Sequence, residues 1–349
     1  MKTKSFLAFV APSVATMLLL IALPLVGVAY LSLHQSHVKT ELVELTTEVP
    51  LIGGVTRKQT RVVPQSVLGE DGKPIQVWEF VGGRNLEKAA ELNNLAKAFA
   101  SPRGDPGEKT YLARLYREVT NYDFWSALEF TLLYTFLTTP AILVVGLALA
   151  LAVNSVSKRL RGTLVFATLL PMIVTPVVSS LAIYWLFLDN AIITNFIEYL
   201  GLGKFYFLAD KFTIRTLIIL YGVWFAAPFA FIILYAGLQT MPRDPLESAM
   251  IDGANKWQRL RYVIVPHLTP LLTVITLIHV MDAYRVFEPI LVFNADIFAN
   301  SVQYLTYYTL AFENNIHKAA AYSILTIAGV ILILVPVLRK SFREYRIST

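Results

Sequence analysis

Six stretches of this 349-residue chain are long enough, and free enough of charge, to cross a lipid bilayer. They cover residues 5–33, 130–153, 162–188, 216–242, 262–281 and 319–338, and none contains Asp, Glu, Lys or Arg. A bilayer core is about 30 Å thick and takes roughly 20 helical residues. It offers no water to unpaired backbone groups, so each crossing segment must satisfy its own N–H and C=O groups and becomes a helix. Only 15% of the residues are charged, against about 25% in soluble domains, and those crowd into the gaps. The pattern predicts an all-α membrane protein with six spans. Residues 1–33 hold the first span, 34–124 a polar insert, and 125–349 a core of five spans. The first run follows Lys2 and Lys4 as a signal peptide would, but it is about twice the usual 7–15 residues and contains Pro24 and Gly27, so it reads as a retained span.

An even number of spans puts both termini on one side. Thirteen Lys and Arg residues fall in the short loops on that side, at 1–4, 154–161, 243–261 and 339–349. The opposing short loops hold only Lys204, Lys211, Arg215, Arg285 and Lys318. The positive-inside rule then places both termini in the cytoplasm. The net charge of +6 is thus a membrane-surface feature and calls for lipid, not nucleic acid, as its partner.

The insert, 34–124, alternates polar and apolar residues in "ELVELTTEVPLI", "TRVVPQSVL" and "KPIQVWEF", which predicts short strands with a turn at "GEDGKP", 69–74. "NLEKAAELNNLAKAFA", 85–100, has helical spacing. A small β-rich or mixed module follows. It serves either as a solvated cover or as a docking platform for an external partner.

Several chemistries lack their residues. The chain has no cysteine, which removes disulfides and thiolate metal sites. Its five histidines make no H-E-x-x-H, and no G-x-S-x-G occurs. His34 and His37 read as polar residues at the membrane edge. "GLGKF", 201–205, lacks the full phosphate-loop pattern and reads as a turn. No metal or cofactor is expected on this chain.

Polar residues bordering a span are costly and default to function. If the fifth helix continues past residue 281, His279, Asp282, Ala283 and Val286 share one face. They then line a cavity; alternatively, Asp282 and Arg285 pair at the membrane surface, with Glu288 joining Arg285. In the fourth span, Gly222, Ala226 and Phe229 share a side, with Tyr221 and Trp224 nearby, as aromatic residues that could stack on a sugar ring. Pro171 and Pro176 predict a distorted third helix.

Between the fourth and fifth spans lies "RDPLESAMIDGANKWQRLRYVIVP", 243–266. Asp244 reads as an N-cap with Pro245 at the first helical position and Glu247 in the first turn. Gly253 either ends that helix or admits another backbone. This stretch resembles the signature loop of permease subunits of binding-protein-dependent ATP-binding cassette importers, the E-A-A…D-G-A…L-P pattern. Glu247, Ala249, Asp252, Gly253, Ala254, Trp257 and Pro266 stand at the family's spacing, and "MPRDPLESA" resembles the entrance found in the carbohydrate-transporting branch. Ser248, Leu260 and Val265 replace the usual alanine, phenylalanine and leucine.

The resemblance implies a six-span type I importer permease in a bacterial inner membrane, itself without catalysis. It implies a coupling helix in which Glu247, Ser248, Ala249, Asp252, Gly253 and Ala254 meet a separate cytoplasmic ATPase, which would hold ATP and Mg. It implies a second homologous permease, an external solute-binding protein and a sugar or sugar derivative as cargo. Gly222, Ala226, Phe229, His279, Asp282, Ala283 and Val286 would line the substrate path. The rival is an ion-coupled transporter without an ATPase, which the uncharged span interiors disfavour.

Overall fold

The computed structural model describes residues 3–50, 56–69, 71–100, 110–201 and 203–348, with side chains omitted for 3–8, 46–50, 56–59 and 340–348. Lys2 and the side chains of Lys4, Lys340, Arg343 and Arg346, which enter the orientation count, lie outside the described residues, as do Glu70 and Leu202 of the two turn motifs. Among the described residues, six segments have the length and apolarity to cross a membrane: Phe9–Leu33, Asp123–Ser155, Pro176–Tyr199, Lys211–Gln239, Lys256–Val292 and Ile316–Arg339, numbered here as spans one to six.

The third apolar run is interrupted. Val174 and Thr175 are extended and divide it into helices Lys158–Ile173 and Pro176–Phe187. Pro176 has no N–H to donate and disfavours a helical residue before it, so a helix ends here and a new one starts on the proline. Apolar character then continues through a turn at 188–191 into Ile192–Tyr199, which is why 176–199 has span length. Proline also explains two π-helical turns, Leu18–Ala22 before Pro24 and Leu260–Ile264 before Pro266. In each, the N–H after the turn reaches the carbonyl five residues back, Leu23 to Leu18 and Val265 to Leu260. The added residue lets the helix pass a position that cannot donate.

The chain divides into two compact units. One comprises Met1–Ala89 and Asn315–Ile324. In it, strand β1 (His34–Val38) pairs antiparallel with β4 (Gln76–Phe80), and β2 (Thr40–Pro50) with β3 (Thr56–Ser66). His317 is buried and clamps this unit. Its Nε2 accepts the Ser36 N–H at 3.0 Å, leaving Nδ1–H to donate to Leu31 O at 3.1 Å. Asn85 adds donations to Ser32 O and His34 O at 3.1 and 2.8 Å. The helix expected over 85–100 is two, Arg84–Ala89 and Leu92–Ala100, because Glu91 turns left-handed at φ 50°.

The second unit, Ala90–Asn314 with Leu325–Thr349, is built on spans two, four and five. Ile142, Ala150 and Val153 of span two pack with Ala230, Phe231 and Leu234 of span four and Leu268 and Ile275 of span five. Lipid tails are as apolar as leucine, so such helices associate through close packing at small residues. Gly146 shows this directly: a Cβ there would stand 2.7 Å from Ala230 Cβ. At one end of spans two and four, Arg215 makes a two-pronged ion pair with Glu129 at 2.9 and 3.0 Å. The same guanidinium donates from Nε to Phe298 O at 2.6 Å and lies over the Phe130 ring. Asp210 caps span four beside it, accepting the N–H groups of Phe212 and Thr213.

Candidate functional site

Spans four and five are joined by an exposed elbow built from two capped helices. The first, Asp244–Ile251, begins one residue earlier than expected. Its cap is Arg243, and Asp244 stands in the first turn with Pro245 and Glu247, so Asp244 serves the helix dipole and not as N-cap. The helix stops in a Schellman motif: Gly253 N–H bonds Met250 O at 3.1 Å and Ala254 N–H bonds Ala249 O at 2.9 Å. Gly253 holds φ +78°, and a Cβ there would meet nothing within 4 Å. Its role within the chain is therefore conformational, a left-handed stop that costs a non-glycine residue about 1 kcal/mol. Two residues on, Asn255 and Gln258 form a capping box, at 2.8 and 2.9 Å, that starts the next helix. The N-x-x-Q spacing of Asn255 and Gln258 is the sequence signal for this helix start.

Glu247, Ser248, Asp252 and Gly253 are exposed, and Ala249 and Ala254 half-buried. Ile251 is 86% exposed and Trp257 66% exposed between these polar residues.

The seven residues Gly222, Ala226, Phe229, His279, Asp282, Ala283 and Val286 line one cavity of about 570 Å³. Span two adds Tyr134, and span four adds Tyr221 and Phe225. Met172 and Pro176 from either side of the third run's break complete one wall. The fifth helix passes residue 281 but stops short of Val286. It ends at Ala283 in a tightened turn, Arg285 N–H to Asp282 O and Val286 N–H to Ala283 O, and a new helix starts at Glu288 with Pro289 in its first turn. A proline in a continuing helix would lack its bond and strike the carbonyl four residues back. Val286 thus reaches the cavity by a turn of the chain, not by helical spacing.

The alternatives set out for Asp282 and Arg285 coincide in space. The two pair at 3.5 Å and also line the cavity, with Glu288 beside them. Both side chains are more than half exposed, so the pair contributes little to stability. His279 is buried, with Nε2 3.1 Å from Thr138 Oγ1. That hydroxyl donates its single proton to Tyr134 O at 2.8 Å, so it accepts from His279 Nε2–H and leaves Nδ1 as the ring's acceptor. Thr131, Thr135 and Thr139 also bond back one turn along span two, making a polar stripe inside an apolar helix. That stripe was the sequence signal for an inward face, and it pointed to Tyr134.

Tyr134 fills the space that Gly222 leaves, since a Cβ at 222 would strike the Tyr134 hydroxyl. Gly222→Ala is expected to push these helices apart and destabilise the protein by about 1–3 kcal/mol. Tyr134→Phe in the same chain should recover most of that loss, read as apparent melting temperature in detergent; no recovery would mean the contact is not the cause.

An apolar bundle with a half-polar cavity between two spans, and an exposed elbow joining those same spans, defines a membrane transport subunit. Residues 123–341 match the family of binding-protein-dependent transport system inner membrane components, and the chain belongs to it. Membership makes it an inner membrane component of a binding-protein-dependent transport system, and it does not favour an ion-coupled carrier. Among curated relatives, the trehalose/maltose transport system permease protein MalF of Thermococcus litoralis is 30% identical over 53% of this chain and 62% of its own length. The trehalose transport system permease protein SugA of Mycobacterium tuberculosis is 31% identical over 60% of this chain and 67% of its own. Among solved structures, a bacterial alginate ABC transporter in complex with an alginate pentasaccharide-bound periplasmic protein shares the fold, with a TM-score of 0.59 and 21% identity over 73% of this chain and 88% of that one.

Proposed function

We propose that the chain forms half of the translocation pathway of an ATP-driven sugar importer, with both termini in the cytoplasm. One observation carries this reading. The elbow at 243–259 joins the two spans that build the cavity wall, and Gly222 stands 17 residues, about 25 Å of helix, from the end of span four. A partner that grips the elbow moves both walls at once. Glu247, Ser248, Ala249, Asp252, Gly253 and Ala254 form the seat for an ATPase, and Ile251 is the apolar residue that the contact would bury. ATP and Mg belong to that partner; this chain contributes positioning and a binding surface.

The relatives named for trehalose and maltose support a carbohydrate cargo, and so does the cavity. Tyr134, Tyr221, Phe225 and Phe229 offer ring faces, and His279, Asp282, Glu288, Arg285 and Gln303 offer donors and acceptors. Asp282 and Glu288 outnumber Arg285 there, and His279 stands as a neutral ring, so the lining suits a neutral sugar better than an anion. A second homologous permease supplies the other wall, and an external solute-binding protein delivers the cargo. The test is affinity purification of the chain from its native membrane, followed by uptake of labelled di- and oligosaccharides into proteoliposomes. Co-purification of an ATPase and uptake strictly dependent on ATP are expected. Uptake driven by an ion gradient alone would overturn the reading.

A further inference from the structure

Beyond the cavity, the helix Val302–Ala311 carries its aromatic residues on the side away from its fully buried residues. Val302, Leu305 and Thr309 are its buried side. The other side presents Gln303, Tyr304, Tyr307 and Tyr308 at helical spacing, followed by Phe312. Tyr304 also packs against the core, but core packing does not account for the exposed rings of Tyr308 and Phe312.

The face starts at the cavity itself, where Gln303 and Phe287 are both wall residues. From Phe287 the rings follow one another outward, Tyr307 at 5.0 Å and Tyr304 at 6.3 Å. Tyr304 stacks on Tyr308 at 6.4 Å, and Tyr308 stacks on Phe312 at 5.2 Å. Exposure rises along the same path, from half-buried Tyr304 and Tyr307 to 41% at Tyr308 and 62% at Phe312. The Tyr304 hydroxyl is held above its ordinary range, first by burial and then by Asp296, so it stays a neutral donor.

We propose that this face is an oligosaccharide track: a second binding region, outside the cavity, on which the trailing sugar units of a chain substrate stack while its leading unit occupies the cavity. The proposal rests on the sugar-importer reading. Rings in sequence along about 15 Å of helix suit a substrate made of repeated apolar-faced units. A single small solute would use only the cavity. Tyrosines add hydroxyl donors at intervals, which a merely greasy surface would not supply.

The test uses the complete transporter in proteoliposomes, with labelled members of three sugar series: maltose to maltotetraose, the arabino-oligosaccharides, and the N-acetylglucosamine oligomers, each with its monosaccharide. Tyr308→Leu and Phe312→Leu keep an apolar side chain for lipid contact and remove the ring. Each is expected to raise KM roughly 2- to 10-fold for the tri- and tetrasaccharides of the transported series, and to leave the mono- or disaccharide unchanged. An equal loss at every length would make the rings a membrane-interface anchor and overturn the track. So would no change at any length, or a wild-type transporter that carries only monosaccharides. ATP-driven uptake of a non-sugar solute would instead sink the importer's carbohydrate reading, and the track with it.

Discussion

Glu247→Lys is expected to lower ATP-driven uptake by roughly 100-fold while leaving the purified subunit folded, a loss equal to about 3 kcal/mol of coupling between two sites. Glu247 is exposed in the first turn of the elbow helix, so within the chain its charge contributes at most the dipole interaction, about 0.3–1 kcal/mol. A large effect on transport with a small one on stability would therefore localise the lesion to a partner's surface. Gly253→Asp should act alike, and through the backbone as well, because φ +78° is a conformation that glycine holds without strain. The measurements are uptake, melting temperature and retention of the ATPase through purification. Normal uptake in both variants would remove the elbow from the coupling path.

The second large effect lies at the opposite end of span four. Glu129→Ala strips the two-pronged partner from Arg215, whose side chain is only 11% exposed. An ion left alone in such a site costs about 3–5 kcal/mol, and the lower figure applies because Glu129 keeps 22% exposure and some water. Apparent melting temperature in detergent should fall clearly. Glu129→Leu combined with Arg215→Met should recover most of it, since apolar replacement of both partners of such a pair is often neutral. A double variant as unstable as the single one would mean that Arg215 matters for its bond to Phe298 O and its place over Phe130, not for the charge pair.

Much of this was legible from the chain alone. Long uncharged runs leave helices as the only stable choice in a bilayer, so the spans could be read from composition. Strand alternation in the insert and the left-handed glycine of the elbow are likewise local properties, visible where Asp252-Gly253 stands. The break at Pro176 in the third run follows the same local rules. They misled at two places: Pro289 stopped the fifth helix from carrying Val286 onto the face of His279, and Arg243 took the cap position assigned to Asp244.

The partners of buried polar groups belong to the tertiary structure. Nothing in the sequence joins Glu129 to Arg215, 86 positions apart, or Thr138 to His279, 141 apart. Those pairings depend on how spans two, four and five pack, through contacts such as Gly146 on Ala230 and Gly222 on Tyr134. The sequence by itself determined that the chain is built to cross a membrane as helices and to join the fourth and fifth spans by a capped, exposed loop, because both follow from short-range chemistry: hydrophobic length in one case, caps and turns in the other. Only the tertiary structure decided that the loop's two flanking spans meet around a single cavity with a file of aromatic rings leading from it, because a cavity is made by residues distant in the chain whose side chains fail to fill the space between them.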